Sequence, residues 1–259
     1  MNDTIPGFYD SLAPYYHLIF EDWEKSIERQ AAILNSLLEA RLGGGPRRIL
    51  DCACGIGTQA IGLARHGHQV VGLDLSPAAV ERAKREAQVR GLDISFLVSD
   101  MGSLAEVEER DFDVVLALDN ALPHLAPAGL KNAVSAMSTK LRPGGIFLAS
   151  TRDYDALIRE RPTVQGPSFY GHDGQRRIVH QVWDWIDRER YALHMYITHQ
   201  TNWHWETHHF VSVYRCLQRG ELSRALASAG LEGIRWLMPD ESGFYQPIVV
   251  ARKPEVAIA

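Results

Sequence analysis

The chain has 259 residues, 46% of them hydrophobic, with a formal net charge of −5 and no long run of basic residues. These totals fit one large globular domain, or a domain with an insertion, and they argue against a nucleic-acid-binding surface. No apolar run approaches the ~20 residues that cross a bilayer, and Met1-Asn2-Asp3-Thr4 lacks the basic and apolar regions of a signal peptide. Three cysteines make no disulfide framework, so we expect a cytoplasmic protein. From the charge and the apolar runs we expect that it neither binds nucleic acid nor enters a membrane.

The first 44 residues combine aromatic side chains with one long helix. The segment from Phe8 to Phe20 is rich in aromatic residues, and a helix is predicted from about Asp22 to Leu42. Apolar residues recur every three or four positions along this helix and form one stripe, and the glycines after Leu42 end it. The aromatic segment either docks on the core or closes over a ligand, and we interpret residues 1–44 as a lid.

A glycine turn between a strand and a helix is the motif around which the chain is organised. A short apolar strand ends at Asp51, Gly55-x-Gly57 follows, and a helical pattern begins at Thr58. Glycine lets the backbone approach a ligand and adopt positive φ, and the first amides of the helix point at whatever lies above the turn. Asp74 closes the next apolar run, where a carboxylate can accept two ribose hydroxyls. The motif therefore predicts a nucleoside-type ligand.

Five apolar segments separated by helical patterns predict a parallel, doubly wound sheet. The strands lie near residues 48–51, 70–75, 94–98, 112–118 and 146–150, and a short polar helix is predicted after the third. Right-handed crossovers place the carboxyl ends of all five strands at one edge, where such sheets bind their ligands. The residues expected at that edge are Asp51 to Gly57, Asp74, Asp100, Met101, Asp119, Asn120, Thr151 and Arg152.

The pattern changes after residue 152. Three runs with dense aromatic residues, Arg177–Asp187, Tyr191–His199 and Trp205–Leu217, alternate with period two and predict three antiparallel strands. A helix near 221–229 and two strands near 234–237 and 248–251 then complete the first sheet. We therefore predict a core of residues 45–152 and 218–259, and a substrate-binding insertion of residues 153–217.

Taken together, these motifs resemble the class I S-adenosylmethionine-dependent methyltransferases. The resemblance rests on Leu50-Asp51-x-x-x-Gly55-x-Gly57, on Asp74, and on Leu141-Arg142-Pro143-Gly144-Gly145. It implies a mostly parallel, seven-stranded Rossmann-like sheet with a small antiparallel sheet inserted over the active site. It also implies S-adenosylmethionine as the cofactor and a small molecule as the substrate. The cofactor-binding residues would be Arg29, Asp51, Ala53, Gly55, Gly57, Thr58, Asp74, Leu75, Asp100, Met101 and Asp119.

Within that class the chain is similar to the glycine/sarcosine N-methyltransferases. The similarity rests on Tyr9, Arg29, the segments 120–125 and 151–155, and Tyr245. It implies that Arg29 contacts the methionyl carboxylate and that Asn120, Arg152 and Tyr245 face the substrate. The polar groups suited to the surroundings of the transferred methyl group are Asn120, Tyr9 and Tyr245, which we assign as catalytic. The substrate-binding residues would be Asn120, His124, Arg152, Trp183 and Tyr245.

Several of these side chains have a second interpretation. Arg152 either clamps a carboxylate with its forked donors or forms a surface ion pair. His124 either is a structural histidine or accepts a proton. The tryptophans of the insertion either stack on a planar substrate or fill the core under the added sheet; they are Trp183, Trp185, Trp203 and Trp205.

Two groups of potential metal ligands occur in the sequence, and we assign a metal site to neither. Cys52 and Cys54 have no partner pair and are interpreted as small residues beside the ligand. His204, Glu206 and His208 would lie on one face of a strand, and two histidines with one carboxylate can bind iron. Strand alternation alone satisfies that spacing, however, and the chain has 11 histidines.

The predicted function is methyl transfer from S-adenosylmethionine to a nitrogen of a small molecule, such as the amine of glycine or sarcosine. The alternative acceptor is a ring nitrogen of a planar heteroaromatic, azapteridine-like metabolite. Two other classes of protein remain as alternatives. One is a nicotinamide-dependent oxidoreductase, since Gly55-x-Gly57-x-x-Ala60 fits the dinucleotide fingerprint, and the other is a non-catalytic cofactor-binding module. The sequence favours neither a monomer nor a homo-oligomer.

Overall fold

The computed structural model describes residues 4–255, and the expectation that Met1-Asn2-Asp3 begins no signal peptide lies outside them. Within the described chain, the strands form one seven-stranded sheet and one four-stranded sheet. No helix in residues 4–255 is long and apolar enough to cross a membrane.

Helices and strands alternate along the first half of the chain, and strands dominate the insertion. The strands are β1 Arg48–Asp51, β2 Gln69–Asp74, β3 Ser95–Val98, β4 Phe112–Ala117, β5 Leu141–Ser150, β6 Val164–Tyr170, β7 Arg177–Trp185, β8 Arg190–Thr201, β9 His204–Arg215, β10 Glu232–Leu237 and β11 Ile248–Arg252. The helices are α1 Ile5–Leu12, α2 Trp23–Leu42, α3 Thr58–Arg65, α4 Pro77–Val89, α5 Pro127–Lys140, α6 Tyr154–Glu160, α7 Arg219–Ser228 and α8 Pro239–Ser242. Short 3₁₀ turns lie at Tyr16–Ile19 and Leu122–His124.

The seven-stranded sheet has the order β10-β11-β5-β4-β1-β2-β3. Strands β1 to β5 pair in parallel, and β11 runs antiparallel to both β5 and β10. The carboxyl ends of the parallel strands therefore share one edge. The chain order reverses between β1 and β4, which is where such sheets bind their ligands. The predicted mostly parallel, Rossmann-like sheet is confirmed.

Helix α2 packs closely on α3, the helix that follows the glycine turn. The N-cap Asp22 starts α2 by accepting a hydrogen bond from the Lys25 amide at 3.1 Å. Gly62 of α3 allows the close approach, since a Cβ at this position would lie 2.6 Å from the Ala31 Cβ of α2. The packing fixes the position of α3 relative to the core, and therefore also the position of the backbone amides at the start of this helix, from Thr58 onward.

The four-stranded antiparallel sheet has the order β6-β7-β8-β9 and comes wholly from the predicted insertion. Alternate residues of β8, from Tyr191 to Ile197, are buried, as the sequence predicts. The partner residues on β9 include Phe210 and Tyr214, which are buried on the same face. This face of the insertion sheet therefore looks inward.

Polar contacts tie the N-terminal segment to both sheets. Asp10 of α1 accepts a hydrogen bond from Ser76 Oγ at 2.5 Å, at the start of α4. Arg82 of α4 donates to the Ala13 carbonyl oxygen at 2.6 Å. Arg177 of β7 donates to carbonyl oxygens of Leu18, Phe20 and Glu21 at 2.9, 2.5 and 2.7 Å. The segment therefore bridges the core and the insertion.

The structure corrects the prediction at several places. The insertion has four strands instead of three. The sequence does not predict β6, because this strand is exposed along most of its length and shows no apolar alternation. Residues 101–106 form turns and coil instead of a polar helix. Strand β5 begins at Leu141 instead of Ile146, and α6 follows it where no element is predicted.

Candidate active site

The turn between β1 and α3 leaves open space at the carboxyl edge of the sheet. Gly55 and Gly57 have φ angles of +53° and +94°, which other residues rarely adopt. A Cβ added at Gly55 would meet no atom within 4 Å, so the space above this residue can admit a ligand. Thr58 opens α3 directly after the turn, and its Oγ1 accepts a hydrogen bond from Trp23 at 2.9 Å. The turn thus presents its backbone to a ligand.

Three carboxylates lie at or just after the ends of β1, β2 and β4. Asp74 accepts a hydrogen bond from the Gly55 amide at 2.9 Å, which holds it beside the turn. Asp51 accepts one from the Ala53 amide at 3.3 Å, and its second oxygen has no hydrogen-bond partner in residues 4–255. Burial, assisted by the charges of Asp119 and Asp74, raises the pKa of Asp51 to about 7. A buried carboxylate oxygen of this kind favours a cationic ligand group.

A smaller cavity, with a volume of about 70 Å³, lies over this edge. Most of the predicted cofactor-binding residues line it: Ala53, Gly55, Thr58, Asp74, Leu75, Asp100, Met101 and Asp119. Asp51 and Gly57 belong to the turn but do not line the cavity. Helix α1 contributes Ile5 and Tyr9 to its wall, so the N-terminal segment helps to enclose it.

A larger cavity, of about 830 Å³, is walled by α1, α2, α6, the loops after β4 and β5, the insertion sheet and the segment 238–247. The predicted residues that line it are Tyr9, Arg29, Asn120, Arg152, Trp183 and Tyr245. His124, predicted to bind substrate, lines the smaller cavity instead. Arg29, predicted to bind the cofactor, is exposed on α2 and lines only the larger cavity.

The two cavities adjoin. Tyr9, Tyr16 and Asp119 line both of them. The boundary between the two cavities is therefore formed by the phenol rings of Tyr9 and Tyr16 and the carboxylate of Asp119.

Arg152 places its guanidinium in the larger cavity among neutral partners. It donates hydrogen bonds to the Tyr191 hydroxyl at 3.3 Å and to Gln181 Oε1 at 3.1 Å, and it lies 4.6 Å over the Trp183 ring. None of the carboxylates in residues 4–255 forms an ion pair with it, so the surface ion-pair interpretation is wrong. Its positive charge favours an anionic group on whatever fills the cavity.

Tyr9 and His124 form a polar pair where the cavities meet. The Tyr9 hydroxyl lies 2.9 Å from His124 Nε2 and 3.4 Å from the Tyr214 hydroxyl. Burial lowers the pKa of His124 to about 4, so the imidazole is neutral at pH 7. Burial also raises the pKa of the Tyr9 hydroxyl, which therefore stays protonated. The two side chains therefore share a hydrogen bond, but the low pKa makes His124 a weak base.

The loop after β4 is held in an uncommon backbone conformation. Asp119 and Asn120 have φ angles of +53° and +66°, and such residues cost about 1–3 kcal/mol each and cluster at functional sites. Asp119 accepts hydrogen bonds from Gln59 Nε2 at 2.8 Å and from the Tyr245 hydroxyl. Asn120 Oδ1 accepts one from the Arg152 amide at 3.1 Å. The side chain of Asn120 thus holds the loops after β4 and β5 together.

Sequence reasoning assigned no role to several residues of the site. Tyr16 lines both cavities, and Tyr214 contacts Tyr9. The aromatic N-terminal segment signals such residues, but only the fold shows which of them face the site. Tyr15, next to Tyr16, stacks instead on His208 with ring centroids 3.8 Å apart.

The tryptophans of the insertion do not act as one group. Trp183 is buried and lines the larger cavity, and Trp185 donates a hydrogen bond to the Pro162 carbonyl oxygen at 2.9 Å. Trp203 and Trp205 are 69% and 46% exposed and line neither cavity, so both sequence interpretations are wrong for these two.

Comparison with known proteins identifies the family. Residues 49–145 match the family model described as a methyltransferase domain. The 2-heptyl-1-hydroxyquinolin-4(1H)-one methyltransferase of Mycobacteroides abscessus is 30% identical over 185 residues, which are 71% of this chain and 77% of that protein. The chain belongs to the class I S-adenosylmethionine-dependent methyltransferases. Its cofactor is accordingly S-adenosylmethionine, and this methyltransferase is not a nicotinamide-dependent oxidoreductase.

Relatives of the methyltransferase differ in the acceptor atom that their names state. The glycine/sarcosine N-methyltransferase of Parasynechococcus marenigrum is 30% identical over 66% of the chain and 61% of that protein. A ubiquinone biosynthesis O-methyltransferase of Alkalilimnicola ehrlichii is 36% identical over 105 residues. The matched part is 40% of this chain and 41% of the relative's length. Among solved structures, the sugar N-methyltransferase KedS8 from Streptoalloteichus sp matches with a TM-score of 0.75 at 21% identity, over 93% of each chain. Nitrogen and oxygen acceptors therefore both occur among the similar proteins.

Proposed function

We propose that this methyltransferase moves the methyl group of S-adenosylmethionine to a nitrogen atom of a small molecule that is larger than glycine and carries an anionic group. The observation that carries the proposal is the Arg152 guanidinium, which lies in the larger cavity with only neutral hydrogen-bond partners. A guanidinium can bind both oxygens of a carboxylate through its forked donors. The anionic group would thereby fix the orientation of the substrate.

We expect the adenosyl part of the cofactor to bind at the smaller cavity. The open space at Gly55 would admit it, and Asp74 would accept its ribose hydroxyls. The oxygen of Asp51 that has no partner would pair with its ammonium group. When bound there, the cofactor supplies an electrophilic methyl group on a positively charged sulfur. The methyl group would then face the larger cavity past Tyr9 and Asp119.

The volume of the larger cavity supports a substrate beyond the two carbons of glycine. Cavities that hold drug-sized ligands typically measure about 300–1,000 Å³, and this one measures about 830 Å³. Trp183 and Tyr214 supply aromatic surface near Arg152, whose guanidinium lies 4.6 and 5.9 Å from their rings. An amine attached to a ring or to a larger carbon skeleton would fill this space better than glycine or sarcosine.

The weak basicity of His124 supports nitrogen as the acceptor. A hydroxyl must lose its proton as it is methylated, and an efficient general base has a pKa near the operating pH. The His124 imidazole has a pKa of about 4 and contacts the Tyr9 hydroxyl. An amine exchanges its proton with water before it binds, so its free base offers a lone pair without a base in the site, and the N-methylammonium product can lose its proton to solvent. The enzyme then has only to align nitrogen, methyl carbon and sulfur. Oxygens of Tyr9 and Asp119 would stabilise the positive charge that moves toward the acceptor.

A second candidate function is methylation of an acidic hydroxyl on a planar heteroaromatic ring. It is favoured by the similarity to the 2-heptyl-1-hydroxyquinolin-4(1H)-one methyltransferase, which extends over 71% of the chain. An acidic hydroxyl ionises without a base, and its oxyanion would pair with Arg152 while the ring stacks near Trp183.

A substrate panel separates the two candidates. Formation of S-adenosylhomocysteine is measured with aromatic amino acids, with amino sugars that carry a carboxylate, and with hydroxylated quinolones. NMR of the purified product then identifies the methylated atom. We expect N-methyl products from amines that also carry an acid. O-methyl products alone would establish the second candidate, and turnover of neutral amines with equal efficiency would contradict the role of Arg152.

The division into lid, core and insertion also remains a proposal. The smaller cavity, at about 70 Å³, is well below the ~300–1,000 Å³ that is typical of ligand pockets, so an adenosyl group needs more space than it offers while α1 lies across it. The aromatic segment of residues 1–44 would therefore have to move for the cofactor to bind, as a lid does.

A further inference from the structure

A cluster of three potential metal ligands lies on the β8–β9 hairpin, outside both cavities. Its members are His199, Glu206 and His208, and one ligand atom from each lies within 4.8 Å of the others. His199 Nε2 and His208 Nε2 are 3.1 Å apart, and His208 Nε2 is 3.9 Å from Glu206 Oε2. None of the three lines either of the two cavities described above, so the proposed methyl-transfer site does not explain their arrangement.

The antiparallel register of the hairpin brings these side chains together. His199 lies directly opposite Glu206, and His208, two residues further along β9, lies opposite Ile197. Residues two apart on a strand share a face, and diagonal neighbours on paired strands are within reach of long side chains. The placement thus follows from backbone pairing. It also brings His199 to the cluster in place of His204, the residue expected from the sequence.

We infer that His199, Glu206 and His208 bind a divalent transition-metal ion of the Zn²⁺ type. Two imidazole nitrogens on one Zn²⁺, each ~2.0–2.1 Å from it at angles of about 90–110°, are about 2.9–3.4 Å apart. The observed separation of 3.1 Å falls in this range. The Glu206 side chain is 59% exposed and is free to turn its carboxylate inward. Two imidazoles with one carboxylate suit zinc, iron, nickel or copper better than magnesium or calcium.

The neighbours of the cluster support this inference. Thr201 Oγ1 lies 3.3 Å from His199 Nδ1, where it can accept that proton and leave Nε2 free for a metal. On the other side, the Tyr15 ring stacks on the His208 imidazole at 3.8 Å. Tyr15 belongs to the N-terminal segment that covers the cavities. A bound ion would therefore stabilise the contact between the insertion sheet and this segment. It would take no part in methyl transfer.

The competing explanation is a simple hydrogen bond between the His199 and His208 imidazoles. That bond needs no third group, so it gives Glu206 no role. A metal ion, in contrast, requires the carboxylate as well as both histidines.

Zinc titration of the full chain, free of affinity tags and treated with a chelator, distinguishes these explanations. Calorimetry with ZnCl₂ is expected to show one equivalent bound, with affinity at least tenfold weaker in His199→Gln, His208→Gln and Glu206→Gln. His204→Gln is the matched control on the same hairpin and should bind like the wild type. His209→Gln is a second control, because its partner His194, 2.9 Å away, offers another histidine pair on the opposite face of the sheet. MgCl₂ should not bind.

Thermal unfolding gives an independent readout. Because the ion binds only the folded chain, ZnCl₂ should raise the melting temperature of the wild type and of His204→Gln, and should raise that of Glu206→Gln clearly less at the same concentration. Because Glu206 is exposed, its substitution should not disturb folding, and retained S-adenosylhomocysteine binding would verify that the variant is folded. Unchanged zinc affinity in His199→Gln and His208→Gln, loss of zinc binding in His209→Gln alone, or no zinc binding by the wild type would each overturn the inference.

Discussion

The proposed methyl-transfer site has a cofactor side and a substrate side, which are built in different ways. The cofactor side uses the backbone at Gly55 and two carboxylates, Asp51 and Asp74, all within a short stretch of chain at the carboxyl edge of one sheet. The substrate side collects side chains from distant segments, so that Tyr9 meets His124 and Tyr214, and Arg152 meets Tyr191. The residues proposed to bind the cofactor are therefore close together in the sequence, whereas those proposed to bind the substrate are brought together by tertiary packing.

The largest effect is expected on the cofactor side, from Asp74→Ala. Loss of charge-assisted hydrogen bonds to two ribose hydroxyls, each worth about 1.5–3 kcal/mol, should weaken S-adenosylhomocysteine binding by about 10²–10⁴-fold. Calorimetry measures the affinity, and circular dichroism verifies folding. The exposed Asp93→Ala serves as the control. An Asp74→Ala protein that binds as tightly as the wild type would show that the cofactor lies elsewhere.

On the substrate side, Arg152→Gln should discriminate between substrates. The variant loses a charge-assisted pair in the cavity, worth about 2–4 kcal/mol, so kcat/KM for acidic substrates should fall by about 30–1,000-fold. Neutral substrates should be affected much less, and cofactor affinity should not change. Arg161→Gln is a matched control, since Arg161 also lies over a tryptophan, at 4.5 Å from the Trp185 ring, but does not line the cavity. Equal losses on acidic and neutral substrates would point to a structural role for Arg152.

Cofactor affinity should depend on pH through Asp51. Burial raises the pKa of this carboxyl from 3.8 to about 7, so its ionised fraction rises from about a tenth at pH 6 to about nine-tenths at pH 8. Affinity for S-adenosylhomocysteine should therefore rise about tenfold over this range, with release of a proton, and Asp51→Asn should flatten the profile. The folded carboxyl holds its proton to higher pH than the unfolded one. The free energy of unfolding of the cofactor-free protein should accordingly fall between pH 4 and pH 7.

The smallest effect is expected at the lid. Asp10→Ala removes hydrogen bonds from Ser76 Oγ and the Ala78 amide, at 2.5 and 3.1 Å, which together stabilise the docked segment by about 1–3 kcal/mol. Stopped-flow displacement should show S-adenosylhomocysteine dissociating about five- to tenfold faster. Ser11→Ala, an exposed position on the same helix, should behave like the wild type. An unchanged dissociation rate would argue against α1 as the lid.

The same contrast explains what could be predicted from the sequence. Strand periodicity, the glycine turn and Asp74 follow local rules, so the seven-stranded sheet and the residues at its carboxyl edge were predictable. Whether Tyr15 or Tyr16 faces the cavities depends on the 3₁₀ turn that Tyr16 opens and on contacts with the insertion. Likewise, His199 replaces His204 in the histidine cluster because of hairpin register, which no single-strand pattern contains. Strand β6 carries no apolar alternation because most of its residues are exposed.

A crystal structure of the complex with S-adenosylhomocysteine would show where the cofactor binds and which way its sulfur points. We predict the adenosyl group over Gly55, the ribose hydroxyls within hydrogen-bond distance of Asp74, and the sulfur facing the larger cavity between Tyr9 and Asp119. A nucleoside bound at another edge of the sheet, or a sulfur turned away from the cavity that holds Arg152, would contradict this prediction.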